Sequence, residues 1–163
     1  MENRLIFSAV YIASIAVANL IVQRFGVWTI PLNAFFLIGL DLTLRNVLSF
    51  RTKPWQMGLL IVVAGLVTYL LNQAAGRIAA ASSISFVCAS IADWTTFAMS
   101  RSGWIRRNAK GSVAGSIVDS LLFPTLAFGS FSLPVVAAQI VAKTAGAIVW
   151  SFVLRPTGIR RVA

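Results

Sequence analysis

Six runs of mostly apolar residues, each near the roughly 20 that carry an α-helix across a bilayer, leave this chain few folds to choose from. They fall at about 4–23, 31–50, 55–73, 78–99, 112–130 and 133–154. Hydrocarbon offers no water to backbone N–H and C=O groups, so such runs must satisfy their own hydrogen bonds as helices. Turn-forming residues separate them. Gly26 marks the first connection, Pro31 opens the second run and Lys53-Pro54 the third. Gly76-Arg77 ends that run, Arg101 to Gly111 reads as a basic, glycine-containing loop, and Gly129-Ser130 closes the fifth. Pro134 stands in the first turn of the sixth, where a missing N–H costs no helical bond. The expected fold is an all-α integral membrane protein, a compact bundle of six transmembrane helices, with residues 1–163 forming a single membrane-embedded domain.

Composition agrees. The chain is 58% hydrophobic and 11% charged, where soluble domains average about 25% charged. Its net charge of +10 could suit nucleic acid, but the cations cluster between apolar runs, as the positive-inside rule requires. With Arg4 inside, ten cations lie on the inner side, and only Arg24 and Arg77 lie outside. Arg45 and Lys143 fall within helices. That bias predicts both termini in the cytoplasm and a multi-pass place in the cytoplasmic (inner) membrane of a bacterial-type cell, with the lipid bilayer as partner and no nucleic acid. Ala16-Val17-Ala18 resembles a signal-peptidase site, but Glu2 cancels Arg4 ahead of it, and the first run reads as a retained helix.

Three of the four acidic residues, Asp41, Asp93 and Asp119, sit inside these runs with Arg45 and Lys143. An ionised group at a helix centre costs about 2.5–3.5 kcal/mol even on the lenient insertion scale, so such groups face each other or a polar cavity and mark function by default. At 1.5 Å rise per residue, Asp41 and Lys143 lie roughly 15 Å from the outer face, and Arg45 and Asp93 roughly 21–23 Å. Asp119 falls roughly 10 Å from the inner face. Two layers are expected: Asp41 with Lys143, then Arg45 with Asp93 and Asp119. Asp41 and Arg45 are also four residues apart on one helix face and can pair directly, a pairing that could serve insertion alone. Asp93 has a rival reading too, as a group near the inner interface answering the basic segment after it.

Weaker signals read as packing. Gly111-Ser112-Val113-Ala114-Gly115 is a GxxxG pattern for close helix contact. Ser82, Ser83, Ser85 and Ser90 make the fourth run a small-residue helix, and Trp28, Trp55, Trp94, Trp104 and Trp150 sit near run ends as interfacial anchors. The chain has no histidine, and its one cysteine, Cys88, reads as inert core. The usual zinc and haem ligand sets are missing, and no cofactor is expected. No phosphate loop and no nucleophile beside a base appears, so an enzyme is not expected.

Longer motifs carry a family resemblance. The run Ile30-Pro-Leu-Asn-Ala-Phe-Phe-Leu-Ile-Gly-Leu-Asp41-Leu-Thr-Leu-Arg45 resembles the second-helix signature of the queuosine precursor transporter family, also called the vitamin uptake transporter family. Arg77-Ile-Ala-Ala-Ala-Ser-Ser through Asp93 is similar to its fourth helix. Ser112-Val-Ala-Gly-Ser-Ile-Val-Asp119-Ser-Leu-Leu-Phe-Pro-Thr-Leu-Ala-Phe128 is similar to its fifth. Asn19 and Lys143 also have counterparts. Asn46 and Ser120 depart from the family's usual residues.

The resemblance implies import of a deazaguanine base, the cyano- or aminomethyl-substituted queuosine precursor. A guanine-like edge offers two adjacent N–H donors that one carboxylate can accept. On this reading Asp119 or Asp41 reads the donor edge, Asn19 and Lys143 contact the acceptor side, and Arg45 holds the carboxylates, Asp93 among them. Phe35, Phe123 and Phe128 are available to sandwich the ring. Two alternatives stay open. The six-helix size resembles the substrate-binding subunit of energy-coupling-factor importers, which works with an ATPase partner on some other small heterocycle. A structural membrane protein would use the same charges for helix pairing alone.

Overall fold

The computed structural model describes residues 2–25, 29–71, 77–130 and 132–155, with the side chains of residues 2–4, 19, 22–23, 30 and 77–79 outside that description. Among the described residues the chain is helical, with no strand. Helix α1 is Glu2–Phe25. Next come α2 (Ile30–Asn33), a π-helical segment (Ala34–Ile38) and α3 (Gly39–Ser49), which follow one another without a break. Four further helices complete the bundle: α4 (Pro54–Leu71), α5 (Arg77–Met99), α6 (Trp104–Phe128) and α7 (Leu133–Val153). Among the described residues, four segments are long and apolar enough to cross a membrane: Pro31–Ser49, Pro54–Leu71, Trp104–Phe128 and Leu133–Val153. Helices α1 and α5 have the length, 24 and 23 residues. In α5 the serines, the threonines and Asp93 dilute the apolar character.

Local chemistry sets the ends. Pro54 begins α4, and a proline stands in the first turn of α7. Gly129 ends α6 in the left-handed conformation, φ 76°, and its N–H donates to the Thr125 carbonyl at 3.0 Å; glycine takes that conformation without a Cβ clash. The start of α6 corrects the expected loop at Arg101–Gly111. Gly103 is extended, and helix begins at Trp104, eight residues before the predicted start at 112. Internal bonding explains the extension. Arg107 donates through Nε to the Phe97 carbonyl at 2.6 Å and covers the Phe97 ring at 4.2 Å, while Asn108 is fully buried. A basic segment that looks like solvated loop is tied into the bundle.

The outside of the bundle is apolar, and inside it polar side chains share the interior with an apolar core. Leu59, Val62 and Leu66 on α4 and Val135, Val141 and Phe152 on α7 face outward, as a lipid-facing surface requires. Cys88 is also exposed, which corrects its reading as core. Helix α3 is central, with Gly39 and every residue from Asp41 to Leu48 buried. One side of it packs Leu44 and Leu48 against Tyr11 and Ile15 of α1 and Met57, Ile61 and Ala64 of α4. Its other side carries the polar residues toward α5, α6 and α7.

Glycines bring two helix pairs to backbone contact. A Cβ on Gly39 would lie 2.6 Å from the Gly146 carbonyl carbon and 2.7 Å from Ala147 N. A Cβ on Gly146 would strike the Phe35 carbonyl oxygen. The π segment is thus pressed directly on α7, and Trp150 Nε1 holds it by donating to the Phe36 carbonyl at 2.8 Å. Across the bundle, Gly111 and Gly115 admit α5: a Cβ on Gly111 would lie 2.5 Å from Asp93 Oδ1, and one on Gly115 3.0 Å from the Ala89 carbonyl oxygen. The GxxxG pattern therefore packs around Asp93.

Candidate functional site

Among the described residues two ion clusters lie inside the bundle, one fully buried and one partly so. In the first, Arg45 Nη2 is 2.5 Å from Asp41 Oδ2, one turn earlier on α3, and Nη1 reaches Asp93 Oδ2 on α5 at 2.9 Å. Asn46 Nδ2 donates to the other Asp93 oxygen at 3.2 Å. The pair on one helix face and the cross-helix bridge therefore coexist. Asp93 is fully buried and belongs to this cluster rather than to the inner interface.

In the second cluster, Lys143 Nζ on α7 donates to Asp119 Oδ2 of α6 at 2.6 Å, and to Ser120 Oγ and Gln139 Oε1, both at 3.1 Å. Three acceptors use all three ammonium protons. The Asp119 side chain keeps 32% of its surface exposed, against 2% for Asp41 and 0% for Asp93. Of the three intramembrane carboxylates, Asp119 is the one within a ligand's reach in this conformation.

This arrangement corrects the expected layering. Asp119 pairs with Lys143, not with Arg45 and Asp93. The earlier start of α6 is the reason. Asp119 lies nine residues before Phe128, so it sits about 14 Å from the C-terminal end of α6, level with Lys143 at about 15 Å from Leu133 at the start of α7.

Below them lies a polar junction that sequence reasoning passed over. Asn108 Oδ1 accepts from Asn46 Nδ2 at 2.8 Å. Asn108 Nδ2 contacts Ser151 Oγ at 2.7 Å, and Thr43 Oγ1 and the Ala147 carbonyl at 3.2 Å. The signal was present: once α6 starts at Trp104, Asn108, Ser112, Ser116 and Ser120 recur every fourth residue on one buried face. Gln139, Lys143 and Ser151 follow the same spacing on α7.

Three buried polar atoms of the site, Asp41 Oδ1, Ser112 Oγ and Ser116 Oγ, have no hydrogen-bond partner among the described residues. Phe123 stands one turn beyond Asp119 on the same face, half-buried, with its ring edge-on to Phe128 at 6.0 Å. Phe128 is largely exposed, and Phe35 packs on Gly146. The Asn19 side chain and all of Trp28 lie outside the described residues.

Comparison with known proteins adds the family. No curated protein and no solved structure matches the chain. The family model described as "Putative vitamin uptake transporter" matches residues 4–156. That span runs from α1 through α7 and takes in every charged residue of both clusters, and the chain belongs to the vitamin uptake transporter family.

Proposed function

We propose that this protein imports a queuosine precursor, a cyano- or aminomethyl-substituted deazaguanine base, across the cytoplasmic membrane. It does so as a six-span bundle with both termini inside. The carrying observation is the Asp119–Lys143 pair, buried at mid-depth with Asp119 still a third exposed. A carboxylate there accepts the two adjacent N–H donors of a guanine-like edge, and the ammonium beside it donates to the acceptor side. Phe123 supplies an apolar face one turn outward. Asp41, Arg45 and Asp93, sealed from access, hold α3 against α5 beneath the base.

The cation bias along the chain supports this orientation, since Arg106, Arg107 and Lys110 all lie in the first turns of α6, at its inner end. The deciding experiment is complementation. The chain is expressed in a bacterium unable to make or import the precursor, and queuosine is assayed in its transfer RNA at low external precursor. Wild type should restore the modification. Asp119→Asn, inserted at equal level, should lower uptake at least about tenfold, the loss of about 1.4 kcal/mol that one charge-assisted contact represents. Native-rate import by Asp119→Asn would remove this residue from base recognition.

A further inference from the structure

Charge does not balance inside this bundle. Lys143 and Asp119 offset each other, but Arg45 is one cation against two carboxylates, Asp41 and Asp93. One negative charge is left over among the described groups, and an uncompensated charge buried away from water is far too costly to keep. We propose that the remainder is neutralised by a proton on Asp41, and that this proton is the coupling ion of transport.

Geometry selects Asp41 over Asp93. Both Asp93 oxygens accept hydrogen bonds, from Arg45 and from Asn46. Asp41 Oδ2 accepts from Arg45, while Oδ1 is buried and without a partner. A proton on Oδ1 turns that orphaned acceptor into a donor. The Tyr11 hydroxyl of α1, which lies beside Arg45 and Ser90, is also close enough to Asp41 to interact with its charge.

The charged and titratable groups around Asp41 are few. Tyr11 comes from α1, Arg45 from α3 itself, and Asp93 from α5; Asp119 on α6 and its partner Lys143 on α7 complete the set. The buried face of α4 is Met57, Ile61, Ala64, Gly65 and Thr68, which adds no charge. A metal cation is a poorer fit than a proton, because the Arg45 guanidinium already lies 2.5 Å from the Asp41 carboxylate. In the cycle the proton arrives from outside through the partly exposed Asp119 level, rides on Asp41 and leaves to the cytoplasm. No bond other than O–H is made or broken.

The proton site does not depend on the substrate, whereas its coupling role rests on the transport reading above. The site is tested on purified protein by infrared difference spectroscopy, through the C=O stretch of a protonated carboxyl near neutral pH. Wild type should show one such band. Asp41→Asn should abolish it because the group is gone. Asp93→Asn should abolish it too, because Arg45 then balances Asp41 alone. Loss of the band in both variants establishes the shared charge, and Asn46→Ala sites it: this change removes a donor to Asp93 and none to Asp41, so the band should persist at an unchanged frequency, and a shifted band would overturn the choice of Asp41. No band in the wild type, or a band surviving in either folded aspartate variant, overturns the proposal.

Coupling is read in proteoliposomes with tritiated cyano-deazaguanine base. Wild type should accumulate label about tenfold more per pH unit of inward proton gradient, the equilibrium of one proton per substrate. Asp41→Asn should equilibrate label without concentrating it. Accumulation that ignores the gradient overturns the coupling. Vesicles that take up no label refute the choice of substrate, while the infrared result still decides the proton site.

Discussion

Gly146→Ala adds one methyl group where the structure has no room for it. The new Cβ would strike the Phe35 carbonyl oxygen and lie 2.8 and 3.0 Å from the Phe35 carbonyl carbon and Cα. All three are backbone atoms, so no side chain can rotate away and α7 must move off the π segment. Overpacking of this kind costs about 1–3 kcal/mol. Replacing a helical glycine by alanine returns about 0.8–1.0 kcal/mol of propensity. The matched control is Gly58→Ala on α4, where nothing lies within 4 Å of the new Cβ and only the propensity gain applies. The two variants should therefore differ by about 1–3 kcal/mol, the overpacking term alone. At roughly 2–4 °C per kcal/mol for a chain of this size, that separates their melting temperatures by several degrees. Scanning fluorimetry in one detergent reads the difference. Equal melting of the two variants, or a Gly146→Ala protein more stable than Gly58→Ala, would refute the backbone contact between Phe35 and Gly146.

Other outcomes follow from the same geometry. Asn108→Ala should destabilise the fold by about 1–3 kcal/mol, since it leaves the buried Asn46 amide and Ser151 hydroxyl short of a partner; an unchanged denaturation midpoint would argue against the junction. Cys88→Ala, on the outward side of α5, should change stability by no more than about 0.5 kcal/mol and provides a cysteine-free background. In that background, Ser130→Cys should react with an impermeant maleimide added outside intact cells, and Ser102→Cys only after lysis. The reverse pattern would invert the proposed topology.

Much of this architecture is readable from residue types, because hydrocarbon imposes one solution on an apolar run: the helix. The charged side chains inside those runs were equally visible, and so was the Asp41–Arg45 pairing, which needs only spacing along one helix. Pairing between helices was not. It depends on where each helix starts, and the start of α6 was hidden by the cations Arg106, Arg107 and Lys110, which imitate a loop. An error of eight residues there moved Asp119 by two turns, and with it the choice of partner. Cys88 failed for another reason: in a membrane bundle an apolar residue is as well placed facing lipid as facing the core, so hydropathy cannot tell the two sides apart. Asn108 was missed because its spacing with Ser112, Ser116 and Ser120 shows only when the helix is extended to include it.

The glycine contacts sort the bundle by how firmly its parts are joined. Gly39 and Gly146 weld α3 to α7, while Gly111 and Gly115 weld α5 to α6. Arg45–Asp93, Lys143–Asp119, Asn46–Asn108 and Asn108–Ser151 all run from one welded half to the other. Close backbone packing has no substitute once parted. A salt bridge or amide contact can be handed to water or to an arriving polar ligand with little net loss. The molecule therefore carries a parting line, written in side chains that can change partners and bounded by surfaces that cannot. Opening along it would expose both ion clusters at once.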